Sequence, residues 1–388
     1  MPDLSAFILS YNEAENVDPL MDSLKGVRDV VVLDNGSDDG TQELFKKRNA
    51  RVFDGSQIGK YQATEEDVAL FSERFGFEPS FTAGEMFDHA GERRNHAASL
   101  CRNDWIVNPD CDERPEWDLP KVKAQMNGQQ GLMHRYVFKH NPDGTPLLQL
   151  AQCKLYNRKQ GHYVGRIHEV LVNRETGEAL VTPYTEDFIL HHFRRDRDYR
   201  DTHLKQLQFQ AVKDETVRNL HYLGRELADL GKFEESLAVY KRYFKAGQDF
   251  PQQACQAFLV QALCFRNLER LPEAIEACHR AMIVDDSRRD PFFHLGQIYM
   301  ELNQYKKALI WFIAANAIPF NPKSFISDTR LYTWGVHDKL SVCYQRLGMQ
   351  DLAFAHWVEA LKHLPEGDEG ARILANGRWM VGKDSNEK

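Results

Sequence analysis

Asp110 and Asp112 stand one residue apart in N-P-D-C-D-E (108–113), directly after the apolar Trp105, Ile106 and Val107. In extended backbone, residues i and i+2 face the same way, so both carboxylates can address one target. A hard divalent cation takes such oxygens and often a phosphate oxygen as well. A solvated acidic turn is the plainer reading of D-x-D, and the neighbouring segments must decide.

Two other polar segments follow apolar runs in the same manner. Ser10, Tyr11, Asn12 and Glu13 close the run L-S-A-F-I-L-S, and D-N-G-S-D-D-G-T (34–41) closes V-V-V-L. Each alone reads as an Asx-rich turn capping a helix. Three such turns at strand ends meet at one sheet edge, where open α/β sheets bind ligands.

The elements behind these turns follow from the pattern of the first half. Short continuous apolar runs alternate with helix-like stretches such as A-E-N-V-D-P-L-M-D-S-L-K-G, as in a parallel α/β sheet covered on both faces. Near residue 205 the texture changes to helix throughout. F-E-E-S-L-A-V-Y-K-R-Y-F (233–244), L-P-E-A-I-E-A-C-H-R-A-M (271–282), Y-K-K-A-L-I-W-F-I-A-A-N (305–316) and L-A-F-A-H-W-V-E-A-L-K-H-L-P (352–365) repeat one pattern of small and bulky residues. A second periodic helix precedes each. Paired helices with small residues at their crossings resemble tetratricopeptide repeats, whose period is ~34 residues. The chain therefore divides into residues 1–205, α/β, and 206–388, an all-α solenoid.

Composition excludes several classes. The 388 residues are 42% hydrophobic and 27% charged, as in an ordinary globular protein too long for one core. Residues 1–205 hold 26 Lys and Arg against 34 Asp and Glu, and so carry the whole net charge of -8. The second half is neutral, and neither is a basic nucleic-acid platform. Seven scattered cysteines without a C-x-x-C pair fit a reducing cytoplasm better than a zinc or disulfide framework. The N-terminal segment lacks a basic signal-peptide start, and no run reaches the ~18 apolar residues of a membrane span.

S-Y-N-E-A-E-N-V, L-D-N-G-S-D-D-G-T-Q-E, G-E-R-R-N-H-A-A-S-L, D-W-I-V-N-P-D-C-D-E and G-R-I-H-E-V-L occur in an order and spacing that resemble family 2 glycosyltransferases of the GT-A fold, over about residues 4–205. The resemblance implies a nucleotide-sugar donor, UDP-linked, a Mn2+ or Mg2+ cofactor, and inversion in one in-line displacement. It makes Asp34 the reader of the base, with Ser10, Tyr11, Asn12 and Glu13 around it, and puts Arg94 near the donor phosphate or sugar. Asp110 would face the ribose or the metal, and Asp112 would bind the metal. Of His191 and His192, adjacent on a strand and so facing opposite ways, His191 is the expected further ligand. Glu169 is the expected base, with Glu186-Asp187 as its rival. The Phe-rich stretch 56–90 reads as a lid, an acceptor-binding element or a packed insertion.

The acceptor is expected to be a macromolecule, protein, peptide or glycan before a modified DNA base, presented near the repeats. The repeats would position it or pair two copies as a homo-oligomer. The alternative is a non-catalytic repeat scaffold whose GT-A half has decayed.

Overall fold

The computed structural model describes residues 2–141, 144–193, 200–247, 250–321 and 327–381. The chain forms two compact units, Met1–Lys139 with Gln149–Asp214, and His140–Leu148 with Glu215–Lys388.

The first unit contains β1 (Leu4–Ser10), α1 (Ala14–Ser23), β2 (Asp29–Asp34), α2 (Thr41–Lys47), β3 (Arg51–Asp54), β4 (Lys60–Gln62), α3 (Glu65–Phe75), β5 (Met86–Asp88), α4 (Ala90–Leu100), β6 (Trp105–Val107), β7 (Glu113–Trp117) and α5 (Leu119–Gln125). β8 (Gly131–His140), β9 (Pro146–Asn157), β10 (Gly161–Val164), β11 (Val170–Asn173), β12 (Tyr184–His192) and α6 (Arg200–Lys213) follow. The main sheet has the order β3-β2-β1-β6-β9-β8-β12-β7.

Strands β3, β2, β1 and β6 are parallel, as their continuous apolar runs imply. Side chains alternate between two cores. Leu4, Ala6, Ile8, Val30 and Val32 pack with α1, α2 and α5, whereas Phe7, Val31 and Leu33 pack with Ala97 and Ala98 of α4. Beyond β6 the expectation of an all-parallel sheet gives way. β9 is antiparallel to β6, and β7 is antiparallel to β12. β8 and β12 run parallel to each other, so this half of the sheet is mixed.

The stretch 56–90 is a packed insertion. Phe71 contacts Phe75, Phe77 and Phe81, and Phe87 stacks on Phe209 of α6 at 4.4 Å. Arg74 donates to the carbonyls of Ala211 and Val212 at the C-terminal end of α6, where the helix dipole favours a cation. Lys213 pairs with Asp67 at 2.6 Å. These contacts bind α6 into the first unit, so that unit extends past residue 205 to Asp214.

The second unit consists of helix pairs: α7 (Val217–Asp229) with α8 (Phe233–Ala246), α9 (Pro251–Asn267) with α10 (Leu271–Val284), α11 (Asp290–Glu301) with α12 (Tyr305–Ala317), and α13 (Gly335–Arg346) with α14 (Gln350–Leu361). α15 (Asp368–Val381) follows the last pair. The repeated small residues are crossing points. A Cβ on Gly224 would come within 2.7 Å of the Tyr240 ring, and one on Gly296 within 2.7 Å of Phe312. The wider spacing before the last pair is taken up in part by a 3-10 turn, Thr329–Tyr332. Among the described residues no helix is long and apolar enough to cross a membrane.

Candidate active site

The turns after β1 and β2 are built as one piece. The Asn12 N–H donates to Ser37 Oγ at 2.8 Å, and the Asp38 N–H donates back to Asn12 Oδ1 at 3.0 Å. The Glu13 N–H donates to Thr41 Oγ1, and Glu13 Oε2 accepts from Asn16. Asp34 lies at the centre, 1% exposed. Its carboxylate accepts from the hydroxyls of Ser10 and Ser37, the N–H groups of Gly36 and Ser37, and the Gln42 amide. A carboxylate so satisfied organises the turn and has little capacity left for a base. The next residue is different: Asn35 Oδ1 is buried without a hydrogen-bond partner. Tyr11, 55% exposed, follows Ser10, whose carbonyl accepts from the Asn35 N–H at 2.9 Å. In this structure the Asp34 carboxylate is spent on the turn, and the unfilled acceptor next to it is Asn35 Oδ1.

The turn after β6 divides its acids. Asp110 Oδ1 accepts from Arg94 Nη2 at 2.9 Å and its Oδ2 from Lys154 Nζ at 2.9 Å. Burial alone would raise the Asp110 carboxyl, but the Arg94 and Lys154 charges outweigh it and hold it well below the usual carboxylate range. Glu113, 1% exposed, accepts from the same Lys154 through both oxygens, at 2.6 and 2.7 Å. Asp110 is therefore enclosed by cations.

Asp112 faces elsewhere. Its Oδ2 lies 3.1 Å from His192 Nε2, and its carbonyl accepts from the Phe193 N–H at 2.8 Å. His192 Nδ1 points at the Phe138 carbonyl at 3.3 Å, and the ring stacks against Phe138 at 5.5 Å. Burial would lower the His192 imidazole, but the hydrogen bond and charge of Asp112 prevail and raise it. His191, the expected ligand, projects to the other face of β12 and contacts Glu116 at 3.0 Å. Of the two adjacent histidines, His192 is the one that faces Asp112.

Arg94 links the two sides of the site. Beyond Asp110, its Nε donates to Glu169 Oε1, and its guanidinium lies 5.6 Å from the Tyr163 ring centroid. The loop carrying Glu169 is held by α4 and α6. The Ala90 and Gly91 N–H groups donate to Arg166 and Gly165 carbonyls, and the Ile167 N–H donates to Gln210 at 2.6 Å. Gly165 (φ 99°) and His168 (φ 50°) turn the backbone through the left-handed region, which only glycine adopts cheaply. Glu186 and Asp187 lie near the opposite end of β12 from His192, roughly 17–20 Å along the strand at ~3.3 Å per residue. There Glu186 faces Arg135 and Asp187 accepts from Gln125.

Among the described residues no group of three or more His, Cys, Asp or Glu side chains forms a ready metal site. The pair Asp112 and His192 still fits a divalent ion that draws its remaining ligands from a diphosphate and water. The contact of His192 Nδ1 with the Phe138 carbonyl leaves Nε2 to the ion, as in ligating histidines generally. Lys154 escaped the sequence reading; its one signal is a charge between Cys153 and Leu155 in an apolar strand.

A mixed sheet domain with a charged site at its strand ends, followed by helix-hairpin repeats, defines the architectural class. A tetratricopeptide repeat family model matches residues 290–321, which span α11 and α12. An uncharacterized glycosyltransferase of Rickettsia conorii is 24% identical over 267 residues, 63% of this chain and 82% of its own length. The lipopolysaccharide core biosynthesis glycosyltransferase LpsC of Rhizobium meliloti is 26% identical over 192 residues, 46% of this chain and 62% of its own. The crystal structure of MamA aligns at 17% identity with a TM-score of 0.36, over 42% of this chain and 87% of that one. The chain is glycosyltransferase-like, with tetratricopeptide-type helical repeats.

Proposed function

We propose that the protein transfers a sugar from a nucleotide-sugar, UDP-linked, to a hydroxyl of a macromolecular acceptor, with a divalent metal and inversion. The observation that carries this reading is the convergence of Asn35, Asp112 with His192, Arg94 and Glu169 around the C-terminal ends of the parallel strands. Asn35 Oδ1 offers an acceptor for a base N–H. Asp112 and His192 would hold Mn2+ or Mg2+, which when bound neutralises charge on the departing diphosphate. Arg94 adds a fixed cation on the same side. Arg94 also orients Glu169 through Oε1; among the described residues none bonds its Oε2, which is left to take the acceptor proton.

LpsC, named for lipopolysaccharide core synthesis, supports a glycan among the macromolecular acceptors. The repeats supply a broad contact surface for such an acceptor or for a second copy of the chain. The test is nucleoside diphosphate release from a panel of nucleotide-sugars with Mn2+, Mg2+ or a chelator. Metal-dependent release with a UDP-sugar is expected. Release with no donor under any metal, and no UDP binding by calorimetry, would favour the scaffold reading instead.

A further inference from the structure

We propose that Lys154 is a positioning residue of this site: it clamps Asp110 and Glu113 so that the D-C-D-E turn presents Asp112 to His192. The proposal rests on the glycosyl-transfer reading above and extends it to a residue outside the nucleotide-binding turns.

Lys154 lies within β9 and is 5% exposed. A buried ammonium is costly unless its charge is matched, and an apolar side chain of similar length would pack a strand interior at less cost. Here three carboxylate oxygens match it: Asp110 Oδ2 and both oxygens of Glu113. Burial alone would lower the Lys154 amine, but Asp110 and Glu113 together raise it, so the clamp is a charged one.

The same contacts close the turn. The Asp110 N–H donates to Glu113 Oε2 at 2.8 Å, and the Glu113 N–H donates to the Asp110 carbonyl at 3.0 Å. Glu113 is thus at once the partner of Lys154 and the latch of the loop. With Arg94 on Oδ1 and Lys154 on Oδ2, Asp110 cannot swing toward a cation without breaking two ion pairs. The metal role falls to the carboxylate two residues on. Lys154 also reaches the other side of the site: its Nζ lies 5.6 Å from the Tyr136 ring centroid, and that ring stacks near His192 at 6.1 Å. One side chain therefore sets both the turn that carries Asp112 and the aromatic shelf beside His192.

Cys111 reports on the turn, because it is 5% exposed between the two aspartates and its Sγ contacts the Leu9 carbonyl at 3.4 Å. In full-length Lys154→Met, timed iodoacetamide labelling with peptide mass spectrometry should alkylate Cys111 at least about tenfold faster than in the parent. The buried Cys101, Cys255 and Cys343 should stay protected. Mn2+ binding in the presence of UDP, followed by electron paramagnetic resonance, should weaken by about tenfold or more, the loss expected when support of a ligand is removed. The charge-balanced double variant Lys154→Met/Glu113→Gln should fold like the parent and show both effects. A folded variant with parental protection of Cys111 overturns the proposal. So does loss of protection at every cysteine in both variants, which would make Lys154 a prop of the whole sheet. If the parent binds no Mn2+ with UDP, the metal-dependent reading fails while the labelling result alone decides Lys154.

Discussion

Asp112 Oδ2 and His192 Nε2 meet at 3.1 Å although 80 residues separate them. The turn after β6 supplies one and the C-terminal end of β12 the other. Asp112→Ala and His192→Gln should each lower Mn2+-dependent nucleoside diphosphate release by about 100-fold and raise the Mn2+ concentration needed for half-maximal rate. His191→Gln should stay within about twofold of the parent, because its partner Glu116 is 72% exposed and such pairs contribute little. A His191 variant as damaged as the His192 variant would reverse the assignment.

Glu169 is expected to act on the acceptor and not on the donor. Glu169→Gln should slow transfer by about 10²- to 10⁴-fold while UDP affinity changes far less. Asp187→Asn should change neither, since Asp187 sits near the other end of β12. Single-turnover transfer and calorimetry separate the two quantities. Equal losses in binding and rate would make Glu169 a donor-site residue.

Asp34 and Asn35 should part company under mutation. Asp34→Asn leaves donors from Ser10, Gly36, Ser37 and Gln42 short of an acceptor, and should destabilise the fold by about 1–3 kcal/mol. Asn35→Ala should leave the urea midpoint nearly unchanged and weaken UDP binding by about 1 kcal/mol, roughly fivefold. An Asn35→Ala protein that binds UDP like the parent removes Asn35 from the site.

Two buried histidines should make the fold acid-sensitive. Burial holds the imidazoles of His134 and His221 down to about 3. Unfolding returns them to about 6.5, so the unfolded chain binds more protons and stability falls as pH drops from about 6.5 toward 3. At pH 5 each should cost about 2 kcal/mol relative to neutral pH. His221→Leu should therefore lose about 2 kcal/mol less than the parent between pH 7.5 and 5, read from urea unfolding of the repeat unit. Identical pH slopes would contradict this.

Local chemistry made much of this protein legible from its residues. The runs L-S-A-F-I-L-S and D-V-V-V-L-D are apolar on both faces, which only a covered strand tolerates, and they form β1 and β2 at the heart of the sheet. Gly224 and Gly296 oppose Tyr240 and Phe312 because two helices cannot approach closely with bulk on both sides, so the repeat pattern was visible too. Alternation along a strand puts only one of His191 and His192 on the side of Asp112. Which one depended on the sheet: β12 pairs with β7 so that His192 lies opposite Glu113, beside the turn that carries Asp112. Asp34 and Asn35 likewise look equally free as letters, and their hydrogen bonding separates only when Ser10, Ser37 and Gln42 close around the first. Lys154 stands 44 residues from Asp110, and no local rule joins an ammonium to a carboxylate at that distance. Periodicity is a property of neighbours in the chain, whereas charge pairing is a property of neighbours in space. The elements follow from the first, and the partners of each acid were decided by the second.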